Sequence, residues 1–85
     1  MIDDTELRKQ VRVILATRPE DQTMPEAWIH AALERFFGTG SVKAASLAHA
    51  LAWNKARGWI ALRYNDDEER DEWQLSDRGR VKEGL

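Results

Sequence analysis

The sequence predicts a mainly α-helical fold in which three helices are followed by a small β-hairpin. Three apolar patterns with helical spacing occupy residues 4–57, and two short runs of alternating apolar residues follow them. The chain has 85 residues, of which 42% are hydrophobic and 33% charged, a composition that suits one globular domain spanning residues 1–85. A domain of this size can bury a single core but has little room for a deep catalytic cleft.

The first helix is predicted over about residues 4–17. Side chains that can cap its first turn stand at the start of the pattern: Asp3, Asp4 and Thr5. The apolar stripe that would face the core consists of Leu7, Val11, Ile14 and Leu15. The side expected to face solvent carries Arg8, Lys9 and Arg12. Pro19 and the polar residues after it end the helix.

The second helix is predicted over about residues 24–37. Thr23 as N-cap and Glu26 at the third helical position form a capping box. Pro25 falls in the first turn, where its missing amide hydrogen is not needed. Apolar residues then recur at helical spacing: Trp28, Ile29, Ala32, Leu33, Phe36 and Phe37. Gly38 follows them as a typical residue after a helix C-terminus.

The third helix is predicted over about residues 41–57, with Ser41 as its cap and Gly58 after its end. The face expected to pack inward consists of Ala44, Leu47, Ala48, Leu51 and Ala52. The opposite face is expected to present Lys43, Ser46, Ala50, Trp53, Asn54 and Arg57. Two helices joined by a tight turn that contains glycine form a helix-turn-helix pattern.

The β-hairpin is predicted over about residues 59–75. Alternating apolar residues mark its two strands, and the polar segment 65–72 between them is expected to be the loop. Ser76 and Asp77 can cap a short last helical turn that runs through Val81. The residues expected to share one core with the first helix are Trp28, Leu33, Phe36, Leu47, Leu51, Ile60, Leu62, Trp73 and Leu75.

From about Leu7 to Arg80, the chain resembles the winged helix-turn-helix superfamily. The resemblance lies in the segments 46–51 and 57–60, and above all in residues 73–80, whose sequence WQLSDRGR is similar to the ending of many bacterial winged-helix regulators. It implies a three-helix winged-helix fold. It also implies that the third helix enters the DNA major groove, that the hairpin, or wing, touches the adjacent backbone, and that the protein acts as a homodimer. The wing of this chain departs from that pattern because the tip is acidic.

The charge distribution is the second feature that bears on function. The formal net charge of −2 argues against a protein that coats nucleic acid non-specifically. Between Glu34 and Asp66, however, the sequence contains no carboxylate but has five cationic residues: Arg35, Lys43, Lys55, Arg57 and Arg63. Together with the resemblance to winged-helix regulators, this charge distribution leads us to expect a small DNA-binding transcriptional regulator that uses helix 41–57 in the major groove. The expected DNA-binding residues are Ser41, Lys43, Ser46, His49, Asn54, Arg57 and Arg63.

Two other interpretations stay open. The cations could simply be the solvated face of a helix, His49 could be a packed histidine, and Trp53 could cover the hairpin rather than stack on a partner. Alternatively, the domain could be a protein-binding adaptor whose acidic wing, Asp66 to Glu69, docks on a basic protein. If the protein is a homodimer, the first helix and the C-terminal segment are its candidate surfaces, because the third helix and the wing would be occupied.

Enzymatic activity, cofactors and bound metals are not expected. The carboxylates at residues 66–69 are consecutive on a solvated loop, whereas acid–base catalysis needs groups held apart in different environments. The sequence has no EF-hand spacing, two distant histidines and no cysteine. The N-terminus resembles no signal peptide, and no run of residues is apolar enough to cross a membrane, so the expected location is cytoplasmic.

Overall fold

A computed structural model describes residues 2–85 and confirms the predicted fold class, mainly α-helical with a small β-hairpin. The elements in chain order are α1 (Asp4–Ala16), α2 (Glu26–Phe37), α3 (Ala44–Ala56), β1 (Ile60–Asn65), β2 (Arg70–Leu75) and α4 (Asp77–Lys82). The two strands form one antiparallel sheet. Three helices followed by a two-stranded hairpin are compatible with a winged-helix layout.

Helix α1 begins where its capping residues predict. The carboxylate of Asp3 accepts a hydrogen bond from the Thr5 amide at 3.1 Å, which satisfies one of the free donors of the first turn. The buried side carries Leu7, Val11 and Leu15, as expected. The prediction for Arg12 was wrong, since this residue is only 7% exposed. Its long side chain reaches α3 and the chain end, where it finds hydrogen-bonding partners.

The predicted capping box of α2 was wrong. The helix begins at Glu26 with Pro25 as its N-cap, so Thr23 lies outside it. The Thr23 hydroxyl instead donates to the Glu72 carboxylate at 2.7 Å. Met24 forms an isolated antiparallel bridge with Trp73, so this segment pairs with the free edge of β2. Because Thr23 and Met24 are bound to the hairpin, they do not join the helix, which therefore begins later than predicted.

The predicted inward face of α3 was wrong in part. Leu47 and Leu51 are buried as expected, but Ala44, Ala48 and Ala52 are exposed. The positions that complete the buried face are Ala50 and Asn54. The predicted cap was also wrong, because Lys43 is the N-cap residue while the Ser41 hydroxyl donates to the Gly38 carbonyl. Alanines occur on every side of this helix, so the spacing of its apolar residues does not identify a single buried face.

The hairpin forms as predicted, but its loop is shorter than expected and the predicted alternation of buried residues in β1 was wrong beyond Ile60, since Leu62 and Tyr64 are exposed. Ile60 pairs with Leu75 at one end of the ladder and Asn65 with Arg70 at the other, which leaves only residues 66–69 in the turn. Glu69 adopts a left-handed backbone conformation with φ of 52°. Helix α4 follows as predicted, with the Ser76 hydroxyl accepting a hydrogen bond from the Gly79 amide at 3.0 Å.

The core contains most of the predicted members. Five of them are buried: Leu33, Leu47, Leu51, Ile60 and Leu75. Trp73 is partly buried against the same cluster. The prediction was wrong for Trp28, Phe36 and Leu62, which are 54%, 60% and 37% exposed. Helix α2 buries Ile29 and Leu33, and its Phe37 packs partly against the core.

The Glu72 carboxylate joins the wing to the segment before α2. It is buried on the outer face of β2, where it accepts hydrogen bonds from Thr23 and from the Arg70 guanidinium at 2.8 Å. These two hydrogen bonds, the one from Thr23 first, hold the pKa of Glu72 below its ordinary value of 4.5. The ionised carboxylate therefore stabilises the folded chain at pH values above 4.5, and this stability is lost as the pH falls through the lower, folded-state pKa.

We expect Glu72→Gln to flatten the acid side of the stability profile. Between pH 5 and pH 3, the urea midpoint of the wild-type chain should fall more than that of the variant, which cannot lose a proton at this position. Thr23→Val removes the largest cause of the lowered pKa and should give an intermediate slope. Parallel profiles for all three proteins would show that Glu72 does not couple protonation to folding.

Candidate nucleic-acid interface

The outward surface of α3 is made mostly of short side chains. Its members, all exposed, are Ala45, Ala48, His49, Ala52, Lys55 and Ala56. His49 and Lys55 are the polar side chains among them. Methyl groups extend little beyond the backbone, so a partner can approach the helix axis closely along this surface. The surface is therefore shaped for close contact but offers few hydrogen-bonding groups.

The structure brings four of the predicted DNA-binding residues to the N-terminal half of α3 and the turn before it. Ser41 and Lys43 are exposed beside the helix N-terminus. Ser46 is half-buried next to α1, and His49 is exposed one turn further on. Arg57 is exposed at the other end, about 20 Å away for a helix of 13 residues. Cations therefore lie at both ends of α3.

Two predicted DNA-binding residues lie elsewhere. Asn54 is 0% exposed, so its placement on the outward face was wrong. Arg63 is exposed but lies on the face of the hairpin that points away from the core, where its Nε donates to the Gln74 side chain at 3.2 Å. The alternation of β1 places Arg63 opposite to the buried Ile60, and so Arg63 does not join the α3 residues.

Asn54 is the centre of a buried polar network. Its Nδ2 donates to the carbonyls of Arg8 at 3.1 Å and Ala50 at 2.9 Å. Its Oδ1 accepts from Arg12 Nη1 at 2.9 Å, and Arg12 Nε donates to Glu83 Oε2 at 3.1 Å. The network cross-links α1, α3 and the segment after α4. One feature of the sequence could have predicted this burial: Asn54 follows Leu51 by three residues and Leu47 by seven, so it lies on the same helix face as these core leucines.

A second surface combines cations with tryptophan rings, and we call it the cationic–aromatic surface. Its members are Arg8, Lys9, Trp53, Arg57, Trp59 and Lys82. The guanidinium carbons of Arg8 and Arg57 each lie 4.5 Å from the centre of the Trp53 ring. Lys82 Nζ lies 4.8 Å from the Trp59 ring, and Arg12 lies beneath the same ring at 4.8 Å.

The two tryptophan rings organise this surface. The centres of Trp53 and Trp59 are 5.5 Å apart, with an angle of 61° between the ring planes. Around them lies a shallow depression of about 260 Å³. The sequence does not reveal this surface, because its cations come from α1, the end of α3 and α4, and no local pattern connects them.

The wing tip, residues 66–69, is compact and acidic. Its four carboxylates belong to Asp66, Asp67, Glu68 and Glu69, all of which are exposed. Asn65 Oδ1 accepts hydrogen bonds from the amides of Asp67 and Glu68 at 3.0 and 3.2 Å, which orders the turn. β1 has six residues, so the tip lies about 20 Å from Trp59 at the hairpin base.

Within residues 2–85, no helix has the length and the apolar sequence needed to span a membrane. In the same range, no three or more histidine, aspartate or glutamate side chains come together as a metal site would require. Comparisons of the chain with protein-family models, with curated proteins and with solved structures found no match.

Proposed function

We propose that this chain is a winged-helix DNA-binding protein that places α3 in the major groove of double-stranded DNA. The observation that carries the proposal is the charge along α3 and its flanking turns. Exposed cations stand at both ends, Lys43 and Arg57, and the sequence from Arg35 to Asn65 contains no carboxylate. A helix that enters a groove between two phosphate backbones needs this positive potential, since neutralising phosphates supplies much of the affinity.

The short side chains of α3 determine how it would read DNA. Alanine methyl groups can contact the methyl groups of thymine, and a helix without bulky outward residues can lie deep in the groove. His49 and, in the last turn, Lys55 are the exposed groups of α3 that can form a hydrogen bond with a base edge or a phosphate. Lys43 adds its charge to the positive end of the helix dipole, where phosphate is favoured.

So few base contacts per chain favour two copies acting together. A homodimer on two half-sites would double the contacts and give a transcriptional regulator enough specificity. The acidic wing tip would then stand near the DNA backbone and weaken binding by repulsion.

Fluorescence anisotropy with a mixed-sequence duplex at two salt concentrations tests the proposal. Lys43→Ala should weaken binding and reduce the slope of log affinity against log salt by about one, the loss of one phosphate contact. Arg35→Ala removes an equal charge from the exposed end of α2 and is the matched control. A wild-type chain that does not bind the duplex at low salt would overturn the proposal.

Variants of the wing should have the opposite effect in the same experiment. Asp66→Asn, Asp67→Asn and Glu68→Gln together should strengthen DNA binding and steepen its salt dependence, because they remove negative charge that faces phosphate. Equal changes at Glu20, Asp21 and Glu26, which are exposed before and at the start of α2, are the control. Weaker binding by the wing variant would show that the tip does not lie beside the DNA backbone.

The second candidate function is a protein-docking adaptor. The observation that favours it is the wing tip, whose four exposed carboxylates lie on an ordered turn rather than on a long loop. Such a tip complements a basic protein surface and repels DNA.

A further inference from the structure

The cationic–aromatic surface concentrates cations, and within residues 2–85 none of its Arg or Lys side chains forms a salt bridge with a carboxylate. Lys9, Arg57 and Lys82 are exposed around two tryptophan rings, together with the half-buried Arg8. Glu83, the carboxylate at this edge, is engaged by Arg12. Like charges this close repel one another, and a partner that brought carboxylates would relieve the repulsion.

The cationic side chains of this surface are also held in place before such a partner binds. Trp53 holds the guanidinium groups of Arg8 and Arg57 against its ring, and Trp59 holds Lys82. Arginine groups fixed in this way lose less side-chain freedom when they bind a carboxylate. The partner should therefore present several carboxylates on an equally ordered element.

We propose that the cationic–aromatic surface binds the acidic wing tip of a second copy of this chain. The tip has four exposed carboxylates on an ordered turn, against four cations on the surface. The tip cannot reach the surface of its own chain, because six residue pairs of the ladder hold it about 20 Å from Trp59. A second copy can supply it. Since each copy presents both features, a two-fold axis lets each tip meet the surface of the other copy.

The contact uses Arg57 and the wing tip, which the DNA-binding proposal also uses. Sedimentation velocity without nucleic acid therefore tests the contact separately from DNA binding. At low salt and high protein concentration, the wild-type chain should form a particle of twice the 9.8 kDa chain mass. It should dissociate in about 1 M salt, where the screening length falls to about 3 Å.

Two variants test the two sides of the contact, the wing tip and the cationic–aromatic surface, one at a time. The wing variant carries Asp66→Asn, Asp67→Asn and Glu68→Gln, and the surface variant carries Lys9→Gln and Lys82→Gln. Each should dimerise about tenfold more weakly than the wild type, as expected for the loss of a few partly exposed ion pairs. An equimolar mixture should associate more strongly than either variant alone, because the intact wing tip of one can bind the intact surface of the other.

Controls with the same change of net charge exclude a general charge effect. Glu20→Gln, Asp21→Asn and Glu26→Gln match the wing variant, and Arg35→Gln with Lys55→Gln match the surface variant; all five residues are exposed elsewhere. Both controls should dimerise like the wild type. The proposal is overturned if the wild type stays monomeric at low salt, if the controls weaken dimerisation as much as the variants, or if the mixture does not associate. It is also overturned if a monomeric wild type binds an oligonucleotide that the surface variant does not bind.

Discussion

Replacing Asn54 with leucine should destabilise the fold by about 2–3 kcal/mol, the usual cost of removing a buried hydrogen-bond partner from a charged group. The side chain is fully buried and forms three hydrogen bonds, one of them to the guanidinium of Arg12. Leucine has a similar volume, so the expected loss comes from polarity rather than from a cavity. Arg12 would lose the buried acceptor on α3 and keep its charge.

A second substitution checks this explanation. Arg12→Met removes the guanidinium that Asn54→Leu leaves without its buried acceptor, so the double variant should lose less stability than the sum of the two single losses. Urea unfolding of the wild type, both single variants and the double variant gives the coupling free energy. If the two losses simply add, Asn54 and Arg12 stabilise the fold independently and the network has no cooperative role.

Replacing Gly79 with alanine should destabilise the fold by on the order of 3 kcal/mol, because the added carbon has no space. A Cβ at this position would lie 1.9 Å from the Trp59 carbonyl oxygen and 2.9 Å from Leu75 Cδ1. The first contact is with backbone, which cannot turn away as a flexible side chain can. The variant must therefore push α4 off the base of the hairpin.

Gly84→Ala is the matched control for this prediction. Gly84 has a positive φ of 79°, and a Cβ there would meet no atom within 4 Å. Alanine at this position brings backbone strain of about 1 kcal/mol without a steric clash. Urea unfolding should therefore separate the two variants clearly. Equal stability of the two would mean that α4 does not pack closely against Trp59.

The tight packing of Gly79 explains the residue types and the spacing of the segment 73–80. Trp73 and Leu75 belong to the strand and contact the core, while Ser76 accepts from the Gly79 amide and donates to the Gly58 carbonyl. The glycine then lets α4 approach the chain where it enters the hairpin. The spacing of these residues is therefore that of a strand joined to a capped helix that must lie close to it.

The features that depend on local interactions could be predicted from the sequence. The start of α1 follows from Asp3, the start of α4 from Ser76, and the hairpin from alternating side chains, because caps and strand faces involve residues close together in the chain. The general charge pattern of α3 and the wing tip can also be predicted from the sequence, since it needs only residue types in order.

The surfaces that these elements present depend on packing between elements that are distant in the sequence. The inward face of α3 is ambiguous in sequence because alanines surround it, and packing against α1 selected Ala50 and Asn54 rather than Ala48 and Ala52. Arg12 is buried because Asn54 and Glu83 are distant in sequence but adjacent in space. The cationic–aromatic surface likewise combines side chains from three helices and the base of the hairpin. A polar or charged side chain is buried or clustered only when the fold brings it partners, and the identity of those partners is not a local property of the chain.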